Sequence, residues 1–424
     1  MPVVPRPVPA SAILDHVRSH TDLIVSLAAG EPATVVDALC DGADALEDVQ
    51  IHQMHAVHDR PYLHGKVPGI RHIAYFLGAA SRAGLREGTV DVIPAHFSEV
   101  PAVMRRVARS PVLAASVSPP DRDGYVSLGV SCGYTGSLVG ALPIFVEVNR
   151  QMPRTAGPLR IHLSETVGWC EADYPIAEFL PAAGSAVDGR IAEIVAERVM
   201  DRATIQIGIG AIPNRIFEAL RGHRDLGVHT ELFSDGLMEL VDLGVVTNAY
   251  KRHRRGASVT TFAMGSSALY HWLDGNAAVE FHPVHWVNSP RVVAEHDPFV
   301  SVNATTEVDL YGQCASETIA GRYYSGSGGQ ADFTRGTAMA EGGQGFIVLR
   351  STTTDGTVSR IRATLTPGSV VTTDKNTVDM VVTEYGVACL WGQTLRARAH
   401  ALIAIAHPAF RDELRADALR AGLI

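Results

Sequence analysis

One acidic side chain, Glu231, lies between a strand-like run and a helix-like run in the segment 226–236. A glutamate carboxylate can attack an acyl group and form an acyl-enzyme anhydride, so acyl transfer is the chemistry that this position suggests. A glutamate near the start of a helix is more often stabilised there by the helix dipole. The segment alone therefore leaves a nucleophile and a helix-start residue both open.

A glycine cluster with Gly326, Gly328 and Gly329 follows farther along the chain, directly before the segment 331–336. Successive glycine amides can form a nest that binds an anion. The same amides can serve as an oxyanion hole if they lie about 2.7–3.1 Å from the oxygen on which charge develops. A flexible loop is the structural alternative for this segment.

A second glycine-containing turn, with Gln206, Gly208 and Gly210, lies upstream between a strand-like run and a helix that starts near Pro213. Ligands bind open α/β sheets at this position, and the start of a helix favours an anion such as phosphate. The spacing differs from the dinucleotide-binding fingerprint, and no acidic residue stands at the ribose position. A nicotinamide site is therefore not predicted, and a tight turn remains the alternative.

Histidines gather in two groups, but neither group is completed by an acidic or cysteine partner, and Pro61 and Pro283 interrupt helical continuity, so no metal site is predicted. The histidines are His52, His55, His58, His64, His282 and His285. The five cysteines include no Cys-x-x-Cys pair, which favours a reducing compartment such as the cytoplasm.

The composition is that of a globular enzyme, because 46% of the 424 residues are hydrophobic and only 19% are charged. A net charge of −9 argues against a nucleic-acid partner. No apolar run is long enough to cross a bilayer, so no membrane partner is predicted. The one basic run, 251–255, is interpreted as a solvated loop, with a cationic rim for a nucleotide phosphate as the alternative.

Strand-like and helix-like runs alternate along the chain, which predicts mainly parallel sheets covered by helices. The pattern relaxes around 178–189, so we predict an N-terminal α/β domain at 1–183 and a C-terminal α/β domain at 184–424. Within the second domain the pattern predicts a helix over 191–202, a strand over 204–207 and a helix over 213–221. Helices are also predicted from 395 to the end of the chain.

Eight segments in order along the chain resemble the acetyl-CoA hydrolase/transferase family of class I CoA-transferases, closest to its 4-hydroxybutyrate CoA-transferase-like branch. They are residues 97–101, 117–130, 147–155, 206–213, 227–236, 302–312, 326–333 and 382–386. Each segment is modest alone. Their common order makes the resemblance specific and favours a catalytic role for Glu231.

The resemblance implies two open, mainly parallel α/β domains with the active site in the interdomain cleft. It implies that Glu231 is the nucleophile and that the amides of Gly328 and Gly329 stabilise the oxyanion. Asn288 and Glu384 match a polar pair that borders the carboxylate site.

The turn with Gln206, Gly208 and Gly210 matches the family segment near the CoA moiety. The resemblance implies an acyl-CoA and a small carboxylic acid as substrates, no tightly bound cofactor, and a homodimer. CoA would move between acids through a glutamyl anhydride and a glutamyl-CoA thioester. An acyl-CoA hydrolase that uses the same glutamate, and a non-catalytic acyl-CoA-binding protein, remain alternatives.

The chain also departs from the family pattern. Where relatives usually carry an acid and two bases, this chain has Cys389, Trp391 and Gln393, and a family asparagine is replaced by Ala315. A loss of charge near the substrate cleft predicts a bulkier or less polar acyl group. The same loss is the main argument for the non-catalytic alternative.

Overall fold

A computed structural model describes residues 3–180 and 183–424 of the chain. The chain forms two compact units. The first unit comprises the chain up to Leu180 and the stretch Val259–Val287. The second unit comprises the chain between Leu180 and Val259 and the stretch Asn288–Ile424. The stretch Val259–Val287 therefore packs with the first unit, although it follows residue 184 in sequence.

Strands alternate with helices over much of the chain, as the sequence pattern predicts, although the strands within 299–323 and those within 344–389 follow one another without a helix between them. The strands before the second unit begins are β1 (Asp22–Val25), β2 (Val49–Gln53), β3 (Ile70–Ala74), β4 (Val90–Val92), β5 (Val112–Val117), β6 (Tyr125–Val126), β7 (Ile144–Asn149), β8 (Ile161–His162) and β9 (Gly168–Ala172). The later strands are β10 (Thr204–Ile207), β11 (Gly227–Val228), β12 (Leu232–Phe233), β13 (Ser258–Thr260), β14 (Phe262–Ala263), β15 (Val279–Phe281), β16 (Phe299–Ala304), β17 (Glu307–Asp309), β18 (Cys314–Ala315), β19 (Thr318–Ile319), β20 (Arg322–Tyr323), β21 (Gln344–Val348), β22 (Ile361–Arg362), β23 (Met380–Thr383) and β24 (Gly386–Cys389).

The helices are short, and most carry one buried face. They are α1 (Ala33–Asp41), α2 (Arg82–Glu87), α3 (Val100–Val107), α4 (Gly133–Leu138), α5 (Ala186–Ala196), α6 (Ala211–Ala219), α7 (Asp235–Asp242), α8 (Ser267–Leu273), α9 (Val284–Val287), α10 (Pro290–Ala294), α11 (Gln330–Met339), α12 (Leu395–Ile405) and α13 (Arg411–Arg420). None of the helices in 3–180 and 183–424 is both long enough and apolar enough to cross a bilayer.

The first unit is built on a seven-stranded sheet in the order β4-β3-β2-β1-β5-β7-β9. Its strand pairs are parallel, and the central strands β1, β5 and β7 are buried along their whole length. Burial on both faces explains why these strands are continuous apolar runs rather than alternating ones.

The second unit is built on a six-stranded sheet in the order β11-β10-β16-β21-β23-β24. Its strands are parallel except β24, which pairs antiparallel with β23 at the edge. Helices α12 and α13 cover part of this sheet with an apolar cluster that includes Val381, Leu402 and Leu414. The predicted α/β class with mainly parallel sheets is confirmed.

A buried carboxylate, Asp188, holds the first turn of α5 in place near the start of the second unit. Ser185 and Asp188 form a capping box that starts α5 at Ala186, which is earlier than the predicted start at 191. Asp188 is fully buried and accepts bonds of 2.7 and 2.6 Å from the guanidinium of Arg350. Burial opposes ionisation, but the bonds from Arg350 and Ser185 outweigh it and lower the pKa of Asp188.

We expect Asp188→Ala to lower the free energy of unfolding by about 3 kcal/mol at neutral pH, because it removes a helix cap and leaves Arg350 without its ion-pair partner. The loss should shrink in acid: the pKa of Asp188 is lowered by folding, so its stabilisation exists above the unfolded pKa and disappears as pH falls through the folded one. Urea unfolding at neutral and acidic pH measures both effects. Glu193→Ala is the control, because the Glu193 carboxylate on the same helix is exposed and should contribute less than about 0.5 kcal/mol.

Candidate active site

The carboxyl ends of the parallel strands in the second unit meet at one edge of its sheet. Strand β10 is followed in sequence by β11 on one side, while its neighbour on the other side is β16. The strand order therefore reverses between β10 and β16, and such a point opens a crevice in which ligands bind. Three of the predicted site residues, Gln206, Gly208 and Gly210, lie at this point.

A reciprocal amide pair closes the ends of β10 and β16. Gln206 Nε2 donates to Asn303 Oδ1 at 3.3 Å, and Asn303 Nδ2 donates to Gln206 Oε1 at 3.1 Å. The following turn is accessible, with Ile209 56% exposed between Gly208 and Gly210. Helix α6 then begins at Ala211 without a side-chain cap, so its first N–H groups are offered to an anion or to water.

Glu231 follows β11 on the outer side of β10. The Val228 N–H donates to Asn248 Oδ1 at 2.8 Å, and the Val228 carbonyl accepts from Lys251 Nζ at 2.6 Å. The side chains of Asn248 and Lys251 therefore take the backbone hydrogen bonds of β11 at Val228, three residues before Glu231. Lys251 is only 1% exposed, so the prediction that the whole basic run 251–255 is a solvated loop is wrong at this residue.

The Glu231 carboxylate is held by two donors that lie far from it in sequence. Asn288 Nδ2 donates to Glu231 Oε2 at 2.7 Å, and the Gly329 N–H donates to the same carboxylate. Burial raises the pKa of Glu231 to about 7; the negative charge of Asp332 adds to this rise, while the bonds from Asn288 and Gly329 oppose it. A carboxylate that ionises near neutral pH in a largely buried place is a common property of functional sites.

Position 329 requires glycine because a side chain there would collide with its neighbours, and not because of its backbone angles. A Cβ at this position would lie 1.9 Å from Glu231 Oε2 and 2.2 Å from Asn288 Nδ2, although the backbone φ of −100° suits any residue. The preceding Gly328 has a φ of +53°, in the left-handed region that favours glycine. Both glycines are buried, and α11 begins directly after them.

The structure brings the predicted residues together in three groups. Glu231, Asn288 and Gly329 are in direct contact, and Gly328 is next to them in the chain. The turn after β10 forms the second group. Glu384, at the end of β23, forms the third, because its carboxylate accepts from the N–H and the hydroxyl of Ser351 at 3.0 and 2.5 Å.

Sequence reasoning missed three residues that bear on this site: Asp332, Asn303 and Lys251. Asp332 follows the glycine cluster closely, and that position was the signal available in the sequence, whereas its burial, at 2% exposed, is seen only in the structure. Asn303 is a polar residue next to the last position of β16. No sequence signal separates Lys251 from its exposed neighbours in the basic run.

Three of the four changes from the family pattern lie on β24 or directly after it, on the opposite side of the sheet from β11, whereas Ala315 lies on β18 in a separate sheet. Cys389 pairs with Met380 at the amino end of β23, whereas Thr383 and Glu384 lie at its carboxyl end. Trp391 and Gln393 follow Cys389 and are exposed, with Trp391 51% exposed. The antiparallel return of β24 therefore carries these three residues away from the end of β23 at which Glu384 lies, and the bulkier or less polar acyl group stays a prediction.

Known proteins are similar to this chain over most of its length. The family model described as "Acetyl-CoA hydrolase/transferase N-terminal domain" matches residues 7–197, and the "Acetyl-CoA hydrolase/transferase C-terminal domain" matches residues 265–418. The chain is 43% identical over 419 residues to a succinyl-CoA:cyclohexane-1-carboxylate CoA transferase from Geobacter metallireducens, covering 99% of this chain and 95% of that protein.

Two further relatives are similarly complete. A 4-hydroxybutyrate coenzyme A transferase from Clostridium kluyveri is 42% identical over 411 residues, or 96% of each chain. The crystal structure of RipA from Yersinia pestis superposes with a TM-score of 0.94 at 35% identity and covers 98% of each chain.

Proposed function

Because this chain belongs to the acetyl-CoA hydrolase/transferase family, we propose that it is an acyl-CoA:carboxylate CoA-transferase in which Glu231 is the nucleophile. The observation that carries the assignment of Glu231 is its carboxylate, which is largely buried, ionises near neutral pH and is bound by Asn288 and the Gly329 amide. Family membership and this geometry both support CoA transfer with Glu231 as the nucleophile.

The reaction begins when a Glu231 oxygen attacks the thioester carbonyl of the acyl-CoA. The amides of Gly328 and Gly329 stabilise the negative oxygen of the tetrahedral intermediate, and the CoA thiolate leaves to give a mixed anhydride. The thiolate then attacks the glutamyl carbonyl, which releases the first carboxylate and leaves CoA as a thioester on Glu231. The donor acid can now depart.

An acceptor carboxylate completes the exchange by reversing these steps. It attacks the glutamyl thioester and expels the thiolate, which then attacks the acceptor's carbonyl and frees Glu231. Because each thioester or anhydride bond is made as another is broken, the thioester energy is conserved as long as water is excluded. Positioning can supply effective molarities of roughly 10⁵ M or more, enough to make a carboxylate a useful nucleophile.

Gln206, Gly208 and Gly210 are proposed to bind the CoA moiety. The exposed turn and the uncapped start of α6 offer backbone N–H groups to a phosphate. Binding of these remote parts of CoA can offset the cost of desolvating Glu231. Asn288 is proposed to remain bonded to a side-chain oxygen of Glu231 in the carboxylate and in its acyl forms, while Glu384, bound to Ser351, is proposed to border the acceptor site.

A trapping experiment tests this function. Incubation with succinyl-CoA, followed by borohydride, should reduce a CoA thioester at Glu231 to an alcohol that mass spectrometry detects in the peptide 224–252. Cyclohexane-1-carboxylate, 4-hydroxybutyrate and acetate are suitable acceptors, since relatives act on such acids. Release of CoA without an acceptor would indicate hydrolysis, and no adduct with any donor would indicate a binding protein.

The transfer rate is expected to rise with pH and level off above about 7, because Glu231 must be ionised and its pKa is raised to about 7. Asn288→Ala removes a donor to the ionised form, so we expect the midpoint to move upward by about one pH unit and the rate at neutral pH to fall at least about tenfold. Rates measured from pH 5.5 to 9 check both points. A midpoint unchanged in Asn288→Ala would contradict the role of this bond.

The proposal extends to location and assembly. The five cysteines are free thiols, which supports a reducing, cytoplasmic environment. A homodimer is proposed from the family resemblance, and light scattering coupled to size-exclusion chromatography tests it. The identified relatives support an acyl-CoA and a small carboxylic acid as its partners.

A further inference from the structure

A second buried acid, Glu317, lies beneath the loop that carries Gly328 and Gly329. It follows β18 and is 5% exposed. Its carboxylate accepts the Tyr323 hydroxyl on Oε2 at 2.5 Å and the Ser327 hydroxyl on Oε1 at 3.2 Å. Ser327 is the residue immediately before Gly328, so one oxygen of Glu317 reaches the base of the proposed oxyanion hole.

The backbone of Glu317 holds the same loop. Its carbonyl accepts from the N–H groups of Tyr324 and Ser325 at 2.8 and 3.1 Å. The Ser325 hydroxyl adds a bond of 3.3 Å to the Ser316 carbonyl. The β19–β20 hairpin between these contacts brings Tyr323 opposite Thr318 and fixes the direction from which the loop leaves.

We propose that Glu317 is a positioning residue for the proposed CoA-transfer reaction: it holds the segment 324–328 so that the Gly328 and Gly329 amides face the Glu231 carboxylate. The inference rests on the proposed function of Glu231. The loop is glycine-rich, and residues 326–329 pair with no strand within the part of the chain that the structure describes, so the ordering of the loop depends on contacts at its base. Glu317 supplies both side-chain and main-chain contacts there, and it acts without touching the reacting atoms.

The position of the Gly329 amide affects the pKa of the proposed nucleophile, Glu231. The Gly329 N–H donates to Glu231 and opposes the rise of its pKa. A loop that is released from Glu317 loses this alignment, so Glu231 should become harder to ionise and the oxyanion should be less well stabilised. Binding of the CoA moiety at the separate turn after β10 should change little.

The test compares Glu317→Ala with Glu317→Gln. The glutamine can still accept the Tyr323 hydroxyl and donate to the Ser327 oxygen, so it should retain kcat within about fivefold. We expect Glu317→Ala to lower kcat by about 10–100-fold with KM for succinyl-CoA changed less than threefold, and to move the pH midpoint upward. Glu341→Ala, an exposed acid outside this loop, is the matched control.

Ser327→Ala and Tyr323→Phe each remove one hydroxyl and keep the test valid if Glu317→Ala folds poorly. Each should lower kcat less than Glu317→Ala, and hydrogen exchange in the peptide 324–333 should be faster in all three. Equal kcat and pH midpoints in wild type and these variants would overturn the positioning role while leaving Glu231 as nucleophile. If the wild type forms no Glu231–CoA adduct, the proposed function itself fails.

Discussion

Glu231→Gln is expected to abolish CoA transfer, with a loss of at least about 10⁴-fold in kcat, because an amide cannot form the anhydride or the thioester. The borohydride-sensitive adduct should disappear as well. Binding of CoA should persist, since the turn with Gly208 and Gly210 is unchanged. Steady-state kinetics and mass spectrometry measure the two losses.

The same substitution should make the protein more stable. Folding raises the pKa of Glu231 from 4.5 to about 7, so the ionised group opposes folding; this penalty is absent below the unfolded pKa and complete above the folded one. Removing the charge should therefore add about 2 kcal/mol above pH 7 and almost nothing near pH 4, allowing for partial solvent access. Urea unfolding at both pH values checks the difference.

The matched control is Glu239→Gln, which changes a half-exposed glutamate on α7 that pairs with Arg221. It should leave the CoA-transfer rate close to that of the wild type and the free energy of unfolding within about 0.5 kcal/mol of it. Glu231→Gln with more than a tenth of the wild-type rate would reject Glu231 as the nucleophile. A stability gain that is equal at both pH values would reject the raised pKa instead.

Gly329→Ala should lower the transfer rate by about 10²–10³-fold, the loss typical of a disrupted oxyanion hole. The new Cβ would lie 1.9 Å from Glu231 Oε2 and 2.2 Å from Asn288 Nδ2, so both side-chain ends must move. Because the backbone angles of Gly329 suit alanine, we expect the free energy of unfolding to change by less than about 1 kcal/mol.

Gly222→Ala provides the comparison, since a Cβ there meets no atom within 4 Å. It should keep full activity, whereas Gly329→Ala should fail at the chemical step with CoA binding retained. Single-turnover formation of the Glu231–CoA adduct separates these effects. A Gly329→Ala variant with half the wild-type rate would mean that the alanine methyl is accommodated without displacing the nucleophile.

The local sequence pattern was sufficient to predict individual strands and helices, but not where each helix starts. The strand over 204–207 is β10 at the same residues, because the glycines at 208 and 210 mark the turn that ends it. Helix α6 starts two residues before the predicted 213, and α5 starts at Ala186 because the Ser185–Asp188 capping box sets its first turn. Helix starts depend on single caps, which periodicity does not resolve.

The sequence by itself determined the class of fold, the family and the short set of residues to inspect, because apolar periodicity and the order of motifs are written along the chain. Only the tertiary structure decided which of these residues meet: Asn288 and Gly329 reach Glu231, while Glu384 binds Ser351 and Cys389 lies at the far edge of the sheet. The physical reason is that strand order and the direction of β24 set these distances. Burial, which raises the pKa of Glu231 and encloses Lys251 and Glu317, likewise arises only when distant segments pack together.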